Sequence, residues 1–261
     1  MTYLDLVISS LYQGVAMIGP FSADVLFPRL FPWTNDPTIG PILKAIVSLG
    51  AGLALAVLLN KEIFLIGRSA WGAVKHRHDG SLRMLISLLL ASAPLVVLDV
   101  LSPHSFDLAP SISAALVVLS AIVLFMADKY GVTVREMDHI SIPSYLIIGV
   151  LLAGSQMIGV APQLTAIIAA RLMGCERDQA ARIAFLVIIP HLLAGFGDFF
   201  SGPTSPPLAE TLLTGTMAFV VALASAALLL NWLYRRSFAL PALVQAVVGG
   251  LVVLSVTGFS R

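Results

Sequence analysis

Three side chains able to do chemistry stand close together in an otherwise apolar N-terminal stretch: Ser22, Asp24 and Arg29. Ionisable groups within a membrane are costly to bury, so they mark functional sites by default. Asp24 could hold a proton, a cation or a cationic head group. It could equally pair with Arg29, about a helical turn away, in which case Arg29 would keep some affinity for phosphate, or it could sit exposed at an outer mouth. A second polar set, Gln156, Gln163 and Thr165, flanks a break in another apolar stretch. Those side chains could contact a polar head group or serve as hydrogen-bonding glue between helices. His191, after Pro190, could relay protons, though a histidine bonded to a neighbouring helix is the plainer reading.

The elements that must position these groups carry a duplication. Met17-Ile18-Gly19 is followed by Pro20, and Met157-Ile158-Gly159 is followed at a short interval by Pro162. Proline removes a helical hydrogen bond and clashes with the preceding turn. Each broken stretch precedes three further apolar runs. That pattern predicts two halves, 1–140 and 141–261, each a broken hairpin plus three spans. An odd number of spans inverts the second half relative to the first, as in membrane proteins that place their site where broken helices meet.

Composition fixes the solvent. The chain is 58% hydrophobic and 11% charged with mean hydropathy +0.96, against about 25% charge in soluble domains. Apolar runs fall at 4–18, 39–60, 84–101, 111–127, 143–170, 183–197, 211–234 and 238–259. The 261 residues read as a single membrane domain, without a removable leader. Net charge +1 gives no sign of a nucleic-acid partner, and one cysteine, Cys175, excludes an internal disulfide.

Lys and Arg placement decides the topology. The 61–83 segment, read as a loop, carries Lys61, Arg68, Lys75, Arg77 and Arg83 and is expected in the cytoplasm. If 143–170 crossed fully, the basic residues would divide 8 inside to 7 outside; if it enters and leaves on one face, they divide 12 to 3. The second arrangement obeys the positive-inside rule. The expected fold is therefore all-α and polytopic, with six transmembrane helices and two re-entrant helical hairpins in an inverted-topology repeat. Eight ordinary helices with proline kinks are the plain alternative. Arg171, Arg177 and Arg182 are expected to snorkel to the cytoplasmic interface. Glu176 and Asp178 fit the first turn of a helix over 178–199, and Asp99 and Asp198 fit solvated outer helix ends. The Lys-His-Arg-His-Asp run at 75–79 reads as a solvated loop rather than a metal site.

The stretch Gly174-Cys175-Glu176-Arg177-Asp178-Gln179-Ala180 through Pro190 is similar to a G-x-S-R-x-x-A-x-x-F-S-F-L-x-x-x-P string. With Leu49-Gly50, Arg235-Arg236-Ser237-Phe238, and Gln13-Gly14 with Pro20 and Ser22, it resembles the undecaprenyl-pyrophosphate phosphatase family of bacitracin-resistance type. That resemblance implies six spans with two re-entrant hairpins, a bacterial inner-membrane location, a polyprenyl-pyrophosphate lipid as substrate, and a divalent cation if the phosphatase chemistry holds. A homodimer is compatible with it.

The catalytic motifs depart from the family. Against (E/Q)-G-x-T-E-F-L-P-V-S-S-(S/T)-G-H, Gln13, Gly14, Pro20 and Ser22 remain, while the glutamate position holds Met17, the second serine Ala23 and the histidine Leu26. Asp24 replaces a small hydroxyl. Against P-G-x-S-R-S-G-A-T, only Gly159 remains; the serine becomes Ala161, the arginine Pro162, the next serine Gln163 and the threonine Ala166. Diphosphate hydrolysis needs positive charge or metal on the developing oxyanions and a group to activate the nucleophile. Met17 and Leu26 can neither transfer protons nor ligate a metal, and Pro162 cannot make a forked contact to phosphate.

Three readings follow. The first is a family member without ordinary phosphatase activity, whose cavity binds or translocates a polyprenyl-type lipid or similar amphipathic solute. The second is an active phosphatase rebuilt from Ser22, Asp24, Arg29 and Gln163. The third is a proton-coupled exporter using Asp24 and His191.

Overall fold

The computed structural model describes residues 3–19, 40–74, 80–101, 110–131, 141–197 and 208–258. Ser22, Asp24, Leu26 and Arg29 lie outside the described residues, as does the second half of the expected first hairpin. Among the described residues every regular element is helical. In chain order these are α1 (Tyr3–Ile18), α2 (Gly40–Leu58), α3 (Asn60–Val74), α4 (Gly80–Leu101), α5 (Pro110–Tyr130), α6 (Ile142–Met157), α7 (Pro162–Leu172), α8 (Arg177–Ala194), α9 (Leu208–Arg235) and α10 (Ala239–Gly258).

The apolar runs become helices because a backbone in lipid must satisfy its own polar groups. Gly40–Leu58, Ser111–Tyr130 and Ala209–Arg235 are each long and apolar enough to cross a membrane. Their outward faces carry large apolar side chains, such as Leu53 and Val57 on α2 and Leu119 and Phe125 on α5. In a soluble protein such faces would be a liability; here they meet acyl chains. The 183–197 run is extended backwards, since α8 begins at Arg177, and a 3-10 turn at Gly195–Gly197 follows it.

The expected loop at 61–83 is corrected. Residues Asn60–Val74 form α3, and α4 starts at Gly80. Basic residues there sit on an exposed helical face, in company with Phe64 and Leu65, rather than in a loop. Ile66 turns inward, 7% exposed, whereas Lys61 and Arg68 are exposed. Arg182 of α8 pairs with Glu62, tying α3 to the bundle.

Small residues set the closest crossings, as expected where helices gain little from apolar burial. A methyl group on Gly50 would lie 2.8 Å from the Gly215 carbonyl oxygen, where α2 crosses α9. On Gly149 it would lie 2.5 Å from the Ala91 carbonyl oxygen, where α6 crosses α4. Both contacts are with rigid backbone. Gly149→Ala is expected to destabilise the protein by about 1–3 kcal/mol through overpacking, read as a lowered Tm in detergent. Gly154→Ala, where a methyl would meet nothing within 4 Å, serves as the control.

Candidate functional site

The second break is built from a glycine and a proline in complementary roles. At the end of α6, Gly159 takes φ +75°, a left-handed conformation that glycine adopts without penalty. Its N–H donates to the Gln156 carbonyl at 3.1 Å and that of Val160 to the Ser155 carbonyl at 2.9 Å. These two bonds close the helix end with a Schellman motif. Pro162 then opens α7, where a missing N–H costs nothing. A second motif of the same kind ends α7: Gly174 has φ +92°, with Gly174 N–H on Arg171 O at 3.0 Å and Cys175 N–H on Ala170 O at 3.1 Å.

Gln163, one residue into α7, is 5% exposed and reaches the first break. Its Nε2 donates to the carbonyl of Ala16 at 3.0 Å and to that of Gly19 at 3.2 Å. Carbonyls at a helix C-terminus lack intrahelical partners, so the amide caps α1 from the other half of the chain. The two Met-Ile-Gly breaks thus meet.

The other sequence candidates divide. Thr165 turns back on its own helix, its Oγ1 lying 3.5 Å from the Ala161 carbonyl. Gln156 is half-buried at the end of α6. Gln13, on α1, is buried, and its Oε1 finds no hydrogen-bond partner among the described residues. A buried acceptor in that state carries a desolvation cost that a donor on a bound head group would relieve. At the positions where the family carries serine and threonine, Ala161 and Ala166 are both buried in the core. Among the described residues no three of His, Cys, Asp and Glu cluster as a metal ion would require.

A charged junction absent from the sequence reading lies at the far end of α7. Asp128, near the end of α5, has a side chain 5% exposed. Its Oδ1 accepts from Arg177 Nε at 2.7 Å and lies 3.6 Å from Arg171 Nε; its Oδ2 accepts the Phe238 N–H at 3.1 Å. Arg171 also donates through Nη2 to the Asp128 carbonyl at 3.2 Å and through Nη1 to the Cys175 carbonyl. One carboxylate thereby joins the ends of α5 and α7 to the starts of α8 and α10. The expected snorkelling is corrected on this point: Arg171 is 2% exposed, because a buried carboxylate and two carbonyls replace the water it would otherwise seek. Arg177 and Arg182 are likewise held in ion pairs, with Asp128 and Glu62. An acid at the end of an apolar run followed by Lys129 was the available signal.

Comparison with known proteins identifies the family. The family model for bacitracin resistance protein BacA matches residues 6–251. The chain is 30% identical over 272 residues to the undecaprenyl-diphosphatase of Nocardioides sp., covering 98% of this chain and 97% of that protein. It is 27% identical over 270 residues to undecaprenyl-diphosphatase 1 of Paramagnetospirillum magneticum, covering all of both, and 29% identical over 269 residues to the Pelotomaculum thermopropionicum undecaprenyl-diphosphatase, with 97% of each covered. A membrane-embedded helical bundle whose described helices run from end to end of that match belongs to the BacA family.

Proposed function

We propose that this protein is a bacterial inner-membrane member of the family that binds a polyprenyl phosphate or pyrophosphate, or a similar amphipathic lipid, and passes it across the bilayer without hydrolysing it. One observation carries the reading. The resemblance sets the family's second catalytic motif against Ile158 through Ala166, and there the chain has a helix-turn-helix carrying alanines, a proline, and a glutamine whose amide nitrogen donates to the carbonyls of Ala16 and Gly19. No cation stands at the arginine position. Each lost oxyanion donor typically costs about 10²–10³ in rate.

The re-entrant topology is supported by distances along the chain. Helices α6 and α7, at 16 and 11 residues, span about 24 Å and about 16 Å, short of an about 30 Å hydrocarbon core. They pack against each other, and Arg171 at the end of α7 lies beside Asp128 at the end of α5. That proximity supports a segment that returns to the face the chain reached at the end of α5.

The inverted repeat is supported by pairwise packing. α1 packs on α9 as α6 packs on α4, and α2 packs on α9 as α8 packs on α4; α2 meets α8 and α5 meets α10. Exchanging α1 with α6, α2 with α8, α4 with α9 and α5 with α10 leaves that pattern unchanged. Alternating access about the meeting breaks is a natural use of such symmetry.

The competing reading, an active undecaprenyl-diphosphatase with a rebuilt site, is favoured by the names and near-complete coverage of the relatives. Phosphate release from undecaprenyl pyrophosphate by purified protein separates the two. The expected result is release at the level of a Ser22→Ala, Arg29→Ala variant. Release that collapses in that variant establishes an enzyme.

A further inference from the structure

The junction at Asp128 leaves a cluster of cations beside it without carboxylate partners among the described residues. Asp128 is engaged by Arg171, Arg177 and the Phe238 N–H. Asp178 lies 4.0 Å from Arg182, and Glu176 is exposed one residue before Arg177. The Asp128–Phe238 hydrogen bond brings the end of α5, with Lys129 and Tyr130, next to the Arg235-Arg236-Ser237 turn between α9 and α10. All three cations are exposed, and none has an ion pair among the described residues.

Aromatic side chains hold two of these cations. Lys129 Nζ lies 5.5 Å from the Tyr130 ring centre and Arg236 Cζ 5.7 Å from that of Trp232. Trp232 Nε1 lies 3.4 Å from the Ser237 carbonyl, fixing the indole against the turn. Tyr130, Trp232 and Tyr234 are 67%, 40% and 73% exposed at the ends of two membrane-length helices. Tyrosine and tryptophan at that position sit at head-group level. A soluble phosphate would have no use for an aromatic rim, whereas a phospholipid presents phosphate and glycerol-acyl boundary together.

We propose that Lys129, Arg235 and Arg236, framed by Tyr130, Trp232 and Tyr234, form a binding site for the head-group phosphate of an anionic bilayer phospholipid. The site is separate from the meeting point of the two breaks and stands whether or not the protein hydrolyses a lipid carrier. Bound there, the phospholipid bridges the end of α5 to the α9–α10 turn and reinforces the junction that fixes α7.

Trp232 provides the readout. The chain has three tryptophans, and Trp33→Phe, Trp71→Phe leaves Trp232 as the sole emitter. Full-length protein is reconstituted in phosphatidylcholine vesicles with increasing brominated phosphatidylglycerol, whose bromines quench nearby indole. Each interfacial cation contributes about a fivefold preference for anionic lipid, so three give about a hundredfold. The Lys129→Gln, Arg235→Gln, Arg236→Gln variant is expected to fall to the level seen with brominated phosphatidylcholine, and Arg236→Gln alone to lose about fivefold. A Lys61→Gln, Arg68→Gln variant on α3 is expected to behave as wild type. Three results overturn the assignment: equal quenching by the two lipids, equal loss in the α3 variant, and reversal of the preference by millimolar inorganic phosphate. The first two indicate no lipid preference or only diffuse surface charge, and the third a soluble-anion site.

Discussion

Asp128→Leu is expected to destabilise the protein by about 3–5 kcal/mol, the cost of leaving a buried ion without its partner. Arg171 would remain 2% exposed with its charge uncompensated, and the Phe238 N–H would lose its acceptor. Replacing both members tests the mechanism rather than the position. Asp128→Leu, Arg171→Leu removes both charges, so it is expected to be more stable than Asp128→Leu alone. Glu62→Gln, which opens a half-exposed pair with Arg182, should cost no more than about 1 kcal/mol. Denaturant unfolding in detergent measures all three against wild type. A double variant no more stable than Asp128→Leu would mean that the carboxylate acts by shape and not by charge.

Gln163→Glu carries the second large effect. The amide now gives two N–H bonds to carbonyl oxygens at 3.0 and 3.2 Å. A carboxylate has no proton to give them and would face both oxygens across the same distances. Two buried carbonyls left unsatisfied cost about 1–3 kcal/mol each, before any repulsion. Gln163→Leu removes the donors without adding charge and should fall between wild type and Gln163→Glu. Because the bond joins the two halves of the chain, both variants are expected to weaken lipid binding by at least about tenfold, corresponding to about 1.4 kcal/mol. Titration with a fluorescent polyprenyl phosphate checks this. Unchanged affinity in a folded Gln163→Glu protein would separate the meeting of the breaks from the binding cavity.

The parts legible in the sequence were those fixed by local chemistry. Runs of apolar residues became helices close to their expected limits, as α2 and α10 illustrate. The break after Met157 was visible because Gly159 and Pro162 are residues whose backbone preferences end one helix and begin another. The 61–83 segment misled because its basic residues were counted by position, while the residues between them continue one helix over Asn60–Val74. Arg171 misled for a different reason. Its burial depends on Asp128, 43 residues earlier, and on a carbonyl at Cys175, which no local pattern reveals. Gln163 is the same case, since its partners lie 144 and 147 residues away. Ser22, Asp24, Leu26 and Arg29 fall outside the described residues, so the first hairpin's share of the site rests on the proposal.

The proposal that this family member binds its lipid without hydrolysing it is tested most directly by the chemical state of the lipid it holds. Purified protein is incubated with undecaprenyl pyrophosphate and divalent cation, separated from unbound lipid, and the bound lipid is extracted and weighed by mass spectrometry. Recovery of intact pyrophosphate is the predicted result. Recovery of the monophosphate, with phosphate released in proportion, would contradict the account and make the protein an enzyme.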